Sequence, residues 1–154
     1  IVTVSGDAVH EPGNFKVPFG MNQAELIEAA GGYKVDPEKI ISGGPMMGFS
    51  MFTVDVPVTK TSSSILCFTK DEVAQYEPTA CINCGRCVEV CPSRLIPSRL
   101  ADYAEHHDEE AFTKHEGLEC MECGSCSYVC PAKRQLKQAI GSMRKTALAN
   151  RKKK

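Results

Sequence analysis

Val2 and Val4 flank a polar Thr3 at the start of the chain, and this period of two predicts a short strand over residues 1–6. Pro12, Gly13 and Asn14 are turn signals, and a second short strand is expected from Phe15 to Val17. The period then changes. In "MNQAELIEAAGG" the apolar Leu26, Ile27 and Ala30 fall on one helical face. Asn22 stands where an N-cap is needed, Glu25 takes the reciprocal capping-box position, and Gly31-Gly32 ends the helix. "EKIISGGPMMGF" reads as a strand running into a glycine-rich turn, and "DVPVTK" and "SSSILCFT" as two further strands. Short strands around a single helix predict a small β-grasp-like domain over residues 1–68.

Beyond it the alternation stops. Thr69 to Tyr76 is expected as a short helix with Thr69 and Glu72 as a capping box, and "EPTA" completes a linker over residues 69–80. Leu100, Tyr103 and Ala104 recur at helical spacing behind Ser98, a candidate cap. Leu136, Ile140, Met143 and Ala147 mark one face of a last helix. The expected plan is therefore α+β: the sheet domain, the linker, an all-α domain over 81–148, and a basic tail over 149–154.

Charge adds one feature to this plan. Residues 102–122 hold eight acidic side chains and one lysine, whereas residues 133–154 hold nine basic side chains and no acidic one. These segments can pair with each other, or the basic one can approach an anionic membrane surface, while any single one of these side chains is expected on a solvated helix face or a frayed tail. The formal net charge of −1 over 154 residues gives no electrostatic reason to expect a nucleic-acid partner. No apolar run approaches the roughly eighteen residues of a membrane span, and no secretory signal is visible. The abrupt opening "IVTVSGDAV", without an initiator Met, suggests the C-terminal part of a longer polypeptide.

The chemistry lies in nine cysteines. "CINCGRCVEVCP" (residues 81–92) and "CMECGSCSYVCP" (120–131) are two copies of C-x2-C-x2-C-x3-C-P. An odd count and tight clustering argue against a disulfide framework. Zinc sites bring ligands in pairs to one tetrahedron. Three thiolates from one loop instead suit three corners of a [4Fe–4S] cubane. In two-cluster ferredoxins the fourth cysteine of each set ligates the other cluster. The expected ligand sets are Cys81, Cys84, Cys87 and Cys130 for one cluster, and Cys120, Cys123, Cys126 and Cys91 for the other. Gly85 and Gly124 are expected where the loop needs unusual backbone angles and a close approach to cluster sulfide, and Ile82, Val88, Met121 and Val129 are expected to keep the surroundings dry. Cys67 reads as a small buried hydrophobe in a strand, and His106, His107 and His115 as surface residues. No nucleotide-binding glycine loop, nucleophile–base pair or flavin fingerprint is present, so no catalytic residue is assigned and single-electron relay is the expected role. A helix in the long interval between the two sets suggests the helical kind of dicluster domain.

The segments "VTVSGDAVHEPGNFKVPFG", "LIEAAGG" and "IISGGPMMG", followed by the paired cysteine sets, resemble the C-terminal part of the RnfC family. This is the peripheral iron–sulfur subunit of the Rnf ion-translocating electron transport complex. The first part is similar to an SLBB module. The resemblance implies an electron relay through two [4Fe–4S] clusters in a membrane-associated ferredoxin–NAD oxidoreductase. It also implies the other Rnf subunits as partners and a peripheral place on the cytoplasmic face of the membrane. In the family the nucleotide- and flavin-binding domain lies upstream of the SLBB module, so FMN and NAD are expected only through a domain missing from this sequence. Two alternatives stay open: a cobalamin-reductase-like relative of RnfC, and a ligand-binding SLBB module with a structural metal. The "SGGPMMG" segment, Ser42 to Gly48, is expected to be a tight turn rather than a ligand contact.

Overall fold

The computed structural model describes residues 1–152, which divide into two compact units, Ile1–Gln75 and a second beginning at Tyr76. In the first unit, β1 (Val2–Ser5) turns into β2 (Gly13–Phe15) and the chain enters α1 (Gln23–Ala29). A hairpin of β3 (Lys39–Ser42) and β4 (Phe49–Met51) follows, and then β5 (Ser64–Phe68). The sheet order is β2-β1-β5-β3-β4, with β1 and β5 parallel and every other neighbouring pair antiparallel. Alternation sends Val2, Val4, Ile65 and Cys67 to one face, where Leu26, Ile27 and Ala30 of α1 close over them. This is the apolar stripe that the helix pattern predicts.

Local chemistry sets the boundaries. The Asn22 side chain accepts from the Ala24 N–H at 2.9 Å and so caps α1. Gly31 and Gly32 end the helix at φ +80° and +73°, and the Gly32 N–H returns to the Ile27 carbonyl at 3.0 Å. β2 lies earlier than the expected Phe15–Val17: Phe15 already faces Val2, the first residue of β1, and Pro18 has no N–H with which to extend the ladder. "DVPVTK" forms only an isolated bridge, Asn22 with Pro57, although Val58 is buried in the core. Pro57 again lacks a ladder donor.

Thr69–Tyr76 is not a helix but a bend followed by turns. Thr69 is engaged elsewhere: its N–H and hydroxyl both donate to the Asp7 carboxylate, so it cannot cap. Asp71 accepts from the Ala74 N–H instead, and a 2.7 Å ion pair with Lys39 holds it to β3.

The elements of the second unit are helical. Short α2 (Arg86–Glu89) and α5 (Ser125–Tyr128) each carry the third cysteine of a set, Cys87 and Cys126, at their second position. Between them come α3 (Pro97–Glu105), α4 (Glu109–Lys114) and a 3-10 turn, Gly117–Glu119, and α6 (Leu136–Arg151) closes the unit. Ser98 does not cap α3: the helix begins one residue earlier, with Pro97 at its first position, where the missing N–H costs nothing. Leu100, Ala101 and Ala104 of α3, Phe112 of α4 and Leu136, Ile140 and Met143 of α6 form the core. α6 carries helix through part of the expected tail, and residues 153 and 154 lie outside the described residues.

The segregated charges pair with each other. Arg134, whose side chain is largely buried, bonds Asp102 at 2.8 Å and Glu105 at 2.9 Å. Burial works to lower the Arg134 pKa, and the two carboxylates more than offset it, so the guanidinium stays charged. Arg144 donates to the Leu118 carbonyl at 2.9 Å and to Glu122 at 3.3 Å, and Asn150 to Glu109 at 2.7 Å. Among the described residues no helix is long and apolar enough to cross a membrane.

Candidate metal centres

The two cysteine loops have the same backbone. Each places a left-handed residue two positions after its first cysteine, Asn83 (φ +53°) and Glu122 (φ +55°). Each then places a left-handed glycine at the helix start, Gly85 (φ +78°) and Gly124 (φ +84°). A third such residue follows the last cysteine by three positions in both copies, Arg94 and Lys133, each at φ +54°. The glycines are where the sequence puts them. A Cβ on Gly85 would meet no protein atom within 4 Å, so what the protein itself asks of this position is its left-handed conformation.

These turns aim backbone N–H groups at sulfur. Asn83 N–H donates to Cys81 Sγ at 3.5 Å, Glu122 N–H to Cys120 Sγ at 3.4 Å, and Leu95 N–H to Cys91 Sγ at 3.4 Å. Asn83 and Glu122 are site residues that the sequence analysis did not single out: Asn83 is of a type enriched in left-handed turns and offered a signal, whereas Glu122 offered none.

The eight clustered cysteines line two cavities of the second unit. Cys81, Cys84, Cys87 and Cys130 border one, together with Ile82, Arg86, Ala132 and Leu136. Cys91, Cys120, Cys123 and Cys126 border the other, together with Leu95, Leu100, Met121 and Ile140. Each cavity thus collects three thiols from one loop and one from the other. Among the described residues no three Cys, His, Asp or Glu side chains converge as a single-ion site. All nine cysteines are free thiols.

The two sites differ in exposure: Cys81 and Cys84 are exposed, whereas the other six are half-buried. Burial pushes the Cys126 thiol up to about 11 and raises Cys120 as well. Cys123 is lowered by its hydrogen bonds to the Ser125 hydroxyl and N–H. Metal ligation takes each as thiolate, so loading releases protons. The expected drying residues answer this only in part: Ile82, Val88 and Met121 are exposed and Val129 half-buried, while the apolar wall comes from Leu95, Leu100, Leu136 and Ile140.

The remaining candidates fall away from these cavities. Cys67 is fully buried in β5, and burial raises its thiol to about 11, which suits an inert core residue. His106, His107 and His115 are exposed, and ring nitrogens of His106 and His115 lie 2.7 and 2.8 Å from the Asp102 and Ala111 carbonyls of their own helical turns. Ser42–Gly48 is the hairpin turn between β3 and β4. A Cβ on Gly48 would meet the Gly44 carbonyl oxygen at 2.6 Å.

Comparison with known proteins matches residues 1–50 to the SLBB domain and residues 80–134 to the 4Fe-4S dicluster domain. The chain is 42% identical over 152 residues to the C subunit of the Na(+)-translocating ferredoxin:NAD(+) oxidoreductase complex of Acetobacterium woodii, covering 99% of itself and 34% of that protein. It is 46% identical over 101 residues to the C subunit of the proton-translocating ferredoxin:NAD(+) oxidoreductase complex of Clostridium ljungdahlii, covering 66% of itself and 22% of that protein. It is 45% identical over 104 residues to the C subunit of the ion-translocating oxidoreductase complex of Methanosarcina acetivorans, covering 68% of itself and 23% of that protein. The chain thus spans about a third of the length of these curated relatives, or less. With both family models in sequence order and similarity over nearly its whole length, the chain belongs to the RnfC-like polypeptides.

Proposed function

We propose that this chain is the electron-relay portion of an RnfC-like subunit, holding two [4Fe–4S] clusters with crossed ligation. Cys81, Cys84, Cys87 and Cys130 hold one, and Cys120, Cys123, Cys126 and Cys91 the other. The observation that carries this reading is the division of eight thiols between two cavities, three from one loop and one from the other in each case. Such clusters, when bound, take up and release one electron each. The chain supplies the rest. The N–H groups of Asn83, Glu122 and Leu95 meet negative charge on sulfur. Leu95, Leu100 and Ile140 exclude water from one site, which sets potential together with the N–H bonds.

The relatives, named as subunits of Na(+)- and proton-translocating ferredoxin:NAD(+) oxidoreductase complexes, support the reading that the whole protein works in a complex of this kind. On this reading the partners are the other subunits of such a complex, and they hold the chain at the cytoplasmic face of the membrane as a peripheral component. FMN and NAD chemistry belongs to other parts of the assembly, and the cysteine cavities serve only to pass electrons. Nucleic acid is not a partner, in keeping with the formal net charge of −1.

Paired cysteine replacements test the crossing. If Cys91 and Cys120 serve one cluster, Cys91→Ala/Cys120→Ala keeps about four irons per chain, whereas Cys91→Ala/Cys81→Ala damages both clusters and keeps almost none. The reverse pattern means that each loop ligates its own cluster.

A further inference from the structure

The first unit has a cavity of its own, unrelated to the cysteines. The end of β3, the edge strand β4 and the loop 52–62 enclose it, with Gln23 at the start of α1 on its wall. Three observations mark it as a binding site. Among the described residues the buried polar side chains are Gln23 (4% exposed) and Ser42 (8%), and both line this cavity. The Gln23 Oε1 is buried without a hydrogen-bond partner, a state that costs about 1–3 kcal/mol and is rarely kept without use. Phe49 and Phe52 also line the cavity, and they are 67% and 101% exposed. Aromatic rings left in water beside a cavity suit a flat partner that stacks on them.

The chemistry of the lining narrows the ligand. No charged side chain borders the cavity: its walls are Phe49, Met51, Phe52, Val56 and Pro57, with hydroxyls from Ser42, Thr59 and Thr61. An anionic group would find no cation here. A primary amide presents a donor beside an acceptor, complementary to a heterocycle edge with the same pair in reverse, as in the pairing of Gln with adenine. Phenyl faces stack on such rings. The terminal torsion of Gln23 is soft, so the amide can turn its edge toward the cavity.

We propose that this cavity binds an uncharged, planar, adenine-type heterocycle, recognised by the Gln23 amide and stacked on Phe49 or Phe52. The site is independent of the iron–sulfur relay, so either can fail without the other.

Adenosine titrated into the full chain with its clusters reconstituted, followed by chemical shifts of the Gln23 side-chain amide and the phenylalanine rings, tests this. Adenosine is expected to shift these signals saturably, and AMP to bind no tighter. Gln23→Met keeps the shape and removes the unpartnered amide. It is expected to weaken adenosine at least about tenfold while leaving the melting temperature of the first unit unchanged or higher. Phe52→Ala, at a fully exposed position, is expected to weaken binding without affecting folding. No shift at millimolar adenosine overturns the proposal, as does binding indifferent to both substitutions. A lower melting temperature for Gln23→Met with unchanged binding makes Gln23 a structural residue. Binding of AMP alone overturns the uncharged class.

Discussion

Two glycines show how differently the same residue type can be required. Gly85 sits at φ +78° with open space where a Cβ would project. Against protein atoms alone, Gly85→Ala therefore meets the left-handed penalty, about 1–2 kcal/mol, and no steric one. Gly6 sits at φ +120°, and a Cβ there would lie 1.9 Å from the Cys67 carbonyl oxygen on β5. Nothing soft is available to move, because the obstacle is backbone in the middle of the sheet. In thermal melts followed by circular dichroism, Gly85→Ala is expected to lower the transition of its unit slightly, and Gly6→Ala to abolish that of the first unit. Equal effects would mean that the β1–β5 approach is looser than described. Gly85 was legible in the sequence because the cysteine spacing frames it. Gly6 was not: its constraint comes from a strand some sixty residues away in the chain.

Capping and pairing decide the elements, and here the sequence was readable where the signal is local. Asn22 with the Leu26–Ala30 stripe predicts α1, and α1 forms. The same local rule failed for Thr69–Tyr76, because Thr69 is claimed by Asp7 from a distant part of the chain. α4 escaped the pattern altogether: with one buried apolar residue, Phe112, it has no period, and it starts on the Asp108 cap. The Asp7–Thr69 contact makes a pH prediction. Hydrogen bonds from the Thr69 hydroxyl, then its N–H, hold the Asp7 carboxyl below its ordinary 3.8. A carboxyl lowered by folding contributes stability above its unfolded pKa and loses it as pH falls through the folded one. The melting temperature of Asp7→Asn is therefore expected to lie below that of the unaltered chain at neutral pH, with the gap closing below about pH 4. A gap that widens in acid would contradict the assignment.

At the scale of the molecule, the chain divides after Gln75 into a unit with a five-stranded sheet and a unit whose described elements are helices. Strand order was not legible, since nothing local tells β1 to pair in parallel with β5. The acidic and basic segments were legible as charge, with pairing between them one of the open readings; which residues pair was not legible, because burial of Arg134 between Asp102 and Glu105 is a tertiary outcome. The cysteine spacing spoke more directly, because eight soft ligands in two matched loops leave few chemistries open. Five of these cysteines pack against the core of their own unit, Cys87, Cys91, Cys120, Cys126 and Cys130, so what they hold bears on its folding as well as on electron transfer. The central claim is therefore best tested by counting iron and acid-labile sulfide per chain after anaerobic reconstitution, with EPR of the dithionite-reduced sample. About eight irons with the spectrum of two interacting paramagnets is the predicted result. Stoichiometric zinc that iron does not displace, with no reducible signal, would contradict it.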